Sequence, residues 1–308
     1  FSNDLSVLMK LLIGRQFLGA GYSDTVEIFE NGNGIAQFDL AELRKPQSGA
    51  LAPFLQYVEE VEIGFANLHN LDFLEYIPKV VHVHIRTSNV TDIDGLRHSR
   101  EIKSLNIERA KCRMDVLGQL DSLESIYLDE WRPGADSIFR LQGLTKARFR
   151  KFPYENFAQI SHWNRLKELW ISAGRLVEVV GIPPGIESLE FTHVKNLRSL
   201  SSLGLASLLT RLIIINCRQL RSLTGIEGCH NLEILSLAKV GKIETLEPIR
   251  NLRRLKYVFL ADGTLVEKGV ETLYGLPKLE KLVISKQSRI DSNIMQQIMP
   301  GCKLVLAS

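Results

Sequence analysis

Apolar residues recur along the chain in one phrase: an apolar position, two residues, a second apolar position, one residue, and a third. The phrase is found at Ile35/Phe38/Leu40, Val58/Val61/Ile63, Val80/Val83/Ile85, Ile102/Leu105/Ile107, Leu123/Ile126/Leu128, Leu144/Ala147/Phe149 and Leu166/Leu169/Ile171. It continues at Ile186/Leu189/Phe191, Leu209/Leu212/Ile214, Leu232/Leu235/Leu237, Leu255/Val258/Leu260 and Leu279/Leu282/Ile284, and a strand-like piece follows at Leu304 to Leu306. Successive starts lie 20 to 24 residues apart. Within each phrase the last two apolar positions alternate with polar ones, which predicts a short strand with one buried face. The second half of many units changes period. Leu197/Leu200/Leu203, Leu220/Leu223/Ile226 and Ile243/Leu246/Ile249 repeat every third residue, as Leu68/Leu71/Leu74 and Val90/Ile93/Leu96 do. That is the period of a 3₁₀ turn, and Pro78, Pro183, Pro248 and Pro277 oppose growth into long helices.

No unit of this size folds alone. Six buried apolar side chains contribute roughly 1.5 to 3 kcal/mol each, against roughly 1 to 2 kcal/mol per residue for ordering a unit's backbone. The units must stack, each strand pairing in parallel with the one before, as in a solenoid. Residues 1–34 stand outside the pattern. Leu5, Leu8, Met9 and Leu12 predict a helix over Asp4 to Arg15, and Thr25 to Phe29, the turn-rich Glu30 to Gly34 and Ile35 to Leu40 predict a hairpin. Together they are expected to cap the first coil.

The L-x-x-L-x-L phrase at this spacing, clearest in Leu209 to Ile226 and Leu232 to Ile249, resembles the leucine-rich repeat superfamily. The resemblance implies an α/β solenoid: a right-handed horseshoe with a parallel concave sheet, short 3₁₀ or extended convex segments and an N-terminal cap. The expected division is a capping segment at 1–34 and an array of about twelve repeats with a terminal strand at 35–308. The family often has Asn or Cys at the ninth position of the unit. Here Ala66, Ser88, Ala110, Trp131, Phe152, Gly174, Val194, Cys217, Val240, Gly263 and Gln287 stand there, so Cys217 alone conforms. The array therefore reads as divergent, with irregular turns around Trp131 to Gly134 and Lys151 to Tyr154.

Composition narrows the function class. Hydrophobic residues make up 45% and charged residues 24%, a balance that excludes wholesale disorder. A net charge of +3 gives nucleic acid no default claim as partner. The four cysteines, Cys112, Cys217, Cys229 and Cys302, are too scattered for a disulfide scaffold or a CxxC zinc site, which suits a reducing, cytoplasmic setting, with secretion as an effector the other option. No apolar run reaches the 18 residues of a membrane span. GxSxG, HExxH, the P-loop and a helix-opening GxGxxG are all missing, so no catalytic role and no cofactor are assigned. His82 and His84 share a strand face near Glu60 and Glu62, but two histidines without a third spaced ligand do not define a metal centre.

The residues between the strand leucines point out of the concave sheet and carry the functional information. They run from acidic (Asp39, Glu60, Glu62) through His82, His84, Arg86, Asn106 and Glu108 to basic and aromatic, then to apolar (Ile213, Ile215, Ile234, Val283). Tyr127, Asp129, Arg148, Arg150, Trp170, Glu190, Arg211, Ile213, Ile234, Tyr257 and Phe259 are the expected partner-binding residues, because aromatics and arginine dominate interface energies and apolar patches on a sheet mark contacts. The reading is a protein-binding module without catalysis: an inhibitor, immunity-type protein or adaptor. A host-directed effector or a receptor's recognition domain is one alternative. Nucleic-acid or phosphate binding through the Lys146 to Lys151 strand is another.

Overall fold

A computed structural model describes residues 9–17, 22–44, 46–285 and 301–307. The chain forms two compact units, Phe1–Leu144 and Thr145–Ser308.

In the first unit the strands are β1 (Met9–Phe17), β2 (Tyr22–Glu30), β3 (Asn33–Asp39), β4 (Val58–Ile63), β5 (His82–Ile85), β6 (Ser104–Ile107) and β7 (Ser125–Leu128), with one short helix, α1 (Ala52–Leu55). Their order in the sheet is β3-β2-β1-β4-β5-β6-β7. The hairpin of β2 and β3 is the one expected, closed by Asn31 and Gly32 at φ 49° and 85°, where asparagine and glycine tolerate the left-handed conformation that a tight turn needs. The expected helix over Asp4 to Arg15 is not there: from Met9 onward the segment is a strand, and residues 4–8 lie outside the described residues. Met9, Leu11 and Ile13 also fit a period of two. As β1 they pair in parallel with Val58, Val61 and Ile63 of β4, and all six side chains are buried. That tertiary pairing outweighs a local helical spacing. The phrase Ile35/Phe38/Leu40 likewise differs from its reading as a first coil. Ile35 and Phe38 lie in β3, which runs antiparallel to β2, and Ile35 is 45% exposed. The parallel, in-register series begins at β1 and β4 and proceeds through β7.

The second unit contains β8 (Lys146–Arg150), β9 (Glu168–Ser172), β10 (Ser188–Thr192), β11 (Arg211–Ile215), β12 (Ile234–Ala238), β13 (Lys242–Thr245), β14 (Tyr257–Ala261), β15 (Leu265–Lys268), β16 (Lys281–Ser285) and β17 (Lys303–Ala307). Eight of these form a parallel sheet in the order β8-β9-β10-β11-β12-β14-β16-β17, while β13 and β15 pair separately. Many return segments are the short 3₁₀ turns that the three-residue period predicts, at Asp72–Tyr76, Asp94–His98 and Asp115–Gln119 in the first unit and at Leu203–Leu205, Glu247–Ile249 and Val270–Gly275 in the second, whereas Leu220, Leu223 and Ile226 lie among turns without a 3₁₀ helix and Ile243 lies in the extended β13.

The backbone itself stitches consecutive coils. Ahead of each strand one carbonyl accepts two N–H groups from the next coil: Thr145 from Lys167 and Glu168, Lys167 from Glu187 and Ser188, Glu187 from Thr210 and Arg211. Strand exits use a second device. Lys151, Ala173, His193, Asn216, Lys239 and Asp262 take positive φ of 50° to 59°. In that conformation Lys151, Ala173, His193 and Asn216 donate their N–H to Ser172, Thr192, Ile215 and Ala238, at 2.7, 2.9, 2.8 and 2.8 Å. These bonds use only main-chain atoms, so a divergent sequence can keep them. Cys217, the one residue that conforms at the ninth position, donates its thiol to the carbonyls of Ile215 and Phe191 at 3.5 and 3.9 Å. Where the repeat is least regular, large rings fill the core: Phe149 stacks on Phe152 with centroids 5.8 Å apart, and Phe157 stacks on Phe191 at 6.2 Å.

Candidate functional site

Register converts the alternating strand residues into rows. On the first unit's sheet Lys10, Glu60, His82, Ser104 and Ser125 stand in one row, and Leu12, Glu62, His84, Asn106 and Tyr127 in another. Charges alternate across these rows and satisfy one another. The Lys10 ammonium bonds to Glu60 at 2.9 Å and also to Glu62, Arg86 reaches Glu62 at 3.0 Å, and His84 Nε2 lies 2.9 Å from Glu108. Partial burial works against both charged forms, but the Lys10 contact overrides it, holding the Glu62 carboxyl below its ordinary range and raising the Lys10 ammonium above its own. Tyr127 donates its hydroxyl to Asp129 at 3.3 Å. Tyr127 and Asp129 thus belong to the first unit, as a pair.

The remaining expected residues fall on the second unit's sheet, in three rows. Arg148, Trp170, Glu190, Ile213, Ser236, Phe259, Val283 and Val305 form the central row. Lys146, Glu168, Ser188, Arg211, Ile234, Tyr257, Lys281 and Lys303 form the row at the strand entries. Arg150, Ser172, Thr192, Ile215, Ala238 and Ala261 line the strand exits, mostly with short side chains. The intervening positions, such as Leu169, Leu189, Leu212 and Leu235, are buried in the core. Arg148, Trp170, Glu190, Ile213 and Phe259 therefore share one row, Arg211, Ile234 and Tyr257 the next, and Arg150 the third.

Trp170, Ile213, Ile215, Ile234, Tyr257, Phe259 and Val283 are half-buried, each flanked by side chains of its neighbours, rather than fully exposed. The large apolar residues with the greatest exposure lie elsewhere, among them Leu205 at 78% and Phe65 at 61%. Polar neighbours fix several members of the face. Lys146 pairs with Glu168 at 2.9 Å, Arg211 stands 3.9 Å from Glu190, the Tyr257 hydroxyl donates to Glu280 at 2.8 Å, and the Lys281 ammonium sits 5.5 Å from the centroid of the Phe259 ring. Lys281 and Lys303 are members that the expected set omits. The offset that points Arg211, Ile234 and Tyr257 outward, two residues beyond the first apolar position of the phrase, also applies to Lys281, two residues beyond Leu279, so its signal was present; Lys303 follows Gly301 in a terminal strand that lacks the first apolar position, so the phrase gives no such signal for it.

Among the described residues no group of three His, Cys, Asp or Glu is placed to hold a metal ion, and no helix is long and apolar enough to cross a membrane. The four cysteines are free, and burial pushes the Cys112 and Cys217 thiols up to about 11 and that of Cys229 to about 12.

No protein-family model and no curated protein sequence matches the chain. Solved structures do. An internalin from Listeria monocytogenes superposes with a TM-score of 0.56 at 17% identity, covering 84% of this chain and 82% of that one. A leucine-rich repeat protein from Leptospira interrogans gives 0.38 at 14% identity over 84% and 86% of the two chains, and the functional domain of a second Listeria internalin gives 0.43 at 13% over 76% and 64%. At 17% identity the likeness to the first of these concerns architecture, and together with the parallel in-register strands and 3₁₀ returns it establishes that this chain has the leucine-rich repeat fold.

Proposed function

We propose that the protein is a non-catalytic recognition module of inhibitor, immunity or adaptor type, and that it binds another protein through the outward face of the second unit's sheet. One observation carries this reading: the register sets Trp170, Ile213, Phe259 and Val283 in a single row on the face opposite the core. A solvated strand face has no need of such residues, whereas an interface centre is enriched in them. Tyr127 and Asp129, bonded to each other on the first unit's own sheet, are not part of this face. Residues 1–34 serve as a cap in this proposal, supported by the buried seam of β1 on β4. A cytoplasmic place of action belongs to it too, supported by four unpaired thiols. Phosphate binding at Lys146 to Lys151 has less support, since Lys146 is already neutralised by Glu168.

The test is affinity capture followed by measurement of the dissociation constant for any partner obtained. Trp170→Ala and Phe259→Ala, each first shown to retain the native circular dichroism, are expected to weaken binding by about thirtyfold apiece, the effect of losing an anchor worth about 2 kcal/mol. An unchanged constant in both variants removes the site from this face.

A further inference from the structure

We infer that the partner surface is acidic around an apolar centre: a protein epitope whose aliphatic or aromatic side chains are flanked by carboxylates. The inference rests on the reading of the second unit's outward face as a protein site, and adds the chemistry of what occupies it.

The charge on that face is one-sided. The three outward rows hold six cations, Lys146, Arg148, Arg150, Arg211, Lys281 and Lys303, and only two carboxylates, Glu168 and Glu190. Both carboxylates are engaged within the face, Glu168 by Lys146 at 2.9 Å and Glu190 by Arg211 at 3.9 Å. On the strand-entry flank Lys167 pairs with Glu187 and Lys256 with Glu233, each at 2.9 Å, and the third carboxylate, Glu280, accepts the Tyr257 hydroxyl at 2.8 Å. Among the described residues Arg148, Lys281 and Lys303 form no ion pair. These uncompensated cations occupy the two ends of the face, Arg148 on β8 and the lysines on β16 and β17, with Ile213 and Phe259 between them. Seven strand spacings of roughly 4.8 Å separate β8 from β17, so the poles stand on the order of 34 Å apart. That span suits a protein interface of standard size, about 800 Å² on each partner, rather than a small ligand. Unpaired cations around an apolar centre accelerate encounter with a carboxylate-bearing surface and disfavour a basic one.

A single-stranded nucleic acid shares the preference for cations but fits less well. Trp170 and Phe259 are separated in the row by Glu190, Ile213 and Ser236. Successive bases would therefore meet a carboxylate and an aliphatic side chain where a stacking platform calls for rings.

The experiment is selection from a displayed library of random 16-residue peptides on the full chain, with a 20-nucleotide oligouridine titrated in parallel. Enriched peptides are expected to carry Asp or Glu on both sides of Leu, Ile or Phe, to lose at least tenfold in affinity between low and high salt, and to be lost with Phe259→Ala. With Arg148→Glu combined with Lys281→Glu, a variant whose fold is checked by circular dichroism, enrichment is expected to move to Lys and Arg. Peptides without excess carboxylate that still depend on Phe259 overturn the acidic partner and leave the apolar site standing. Enrichment indifferent to Phe259→Ala overturns both. Failure to enrich any sequence, or tighter binding of oligouridine that is abolished by the charge-reversed variant, also overturns the inference.

Discussion

Gly95, Gly225 and Gly263 separate two physical demands that a tight solenoid makes on its glycines. At Gly263 the backbone has φ +81° and an added Cβ would meet nothing within 4 Å, so Gly263→Ala adds conformational strain alone. At Gly95 the conformation is ordinary, but the Cβ would lie 2.2 Å from the Leu71 carbonyl oxygen and 2.3 Å from its carbon, so Gly95→Ala adds a collision between stacked 3₁₀ turns. Gly225 suffers both, with φ +107° and a Cβ 2.2 Å from the Leu200 oxygen. A left-handed alanine costs about 1 to 2 kcal/mol, partly offset by the lower entropy of its unfolded chain, which leaves about 1 kcal/mol for Gly263→Ala. In the other two the struck atoms are backbone and have no rotamer to escape through. Restoring ordinary contact requires the coils to part by about 1 Å, at the upper end of overpacking costs, about 3 kcal/mol. The expected order is Gly263→Ala near 1, Gly95→Ala near 3 and Gly225→Ala near 4 kcal/mol. Urea denaturation followed by tryptophan fluorescence and circular dichroism reads these as falls in midpoint, of more than 1 M for Gly225→Ala at a slope of about 3 kcal/mol/M. If Gly225→Ala unfolds at the midpoint of Gly263→Ala, the close stacking of the 200 and 225 turns is refuted, and with it the claim that glycine sets coil spacing there.

Two further outcomes follow from the titrating groups. Glu62, whose carboxyl is held below its ordinary 4.5, contributes stability that is present above that pH and lost as pH falls through the folded value; Lys10, raised above 10.5, contributes stability that is present below that pH and lost as pH rises through the folded value. The protection factors of the β1 amides, with the intrinsic pH dependence of exchange divided out, should accordingly fall at both extremes relative to a plateau between about pH 5 and 10, and Glu62→Gln should abolish the acid limb; an acid limb that persists in the variant disproves the linkage. For the cysteines, thiols at about 11 and 12 hold almost no thiolate at pH 8, so Cys112, Cys217 and Cys229 should react with a disulfide reagent only as the protein unfolds. Fast stoichiometric labelling of any of the three in the native state, read by mass spectrometry, contradicts their burial.

The array was legible because its two halves repeat with different periods. Leu212 and Ile214 alternate, and Leu220, Leu223 and Ile226 fall at threes, so strand and return could each be read from spacing, and all five are buried. The face was legible for a related reason: once the leucines point inward, geometry forces Ile213 and Phe259 outward. What escaped lies where local spacing underdetermines the answer. Met9, Leu11 and Ile13 fit a strand as well as Leu8, Met9 and Leu12 fit a helix, and the decision rests on Val58, Val61 and Ile63, some fifty residues distant. The strand-exit turns at Ala173 and His193 escaped because neither residue is a glycine or an asparagine. They are held left-handed by hydrogen bonds from their own N–H to the next coil, a cooperative property of the stack that no single repeat contains. The same dependence explains the departure from the family's ninth position: with the main chain closing the turn, Phe152, Gly174 and Val194 are free to differ there, and Phe152 is used to pack against Phe149 and Phe157. Sequence divergence at the turn and constancy of the strand phrase thus have one cause. Burial constrains the leucines, whereas main-chain hydrogen bonding releases the turn from needing any particular side chain.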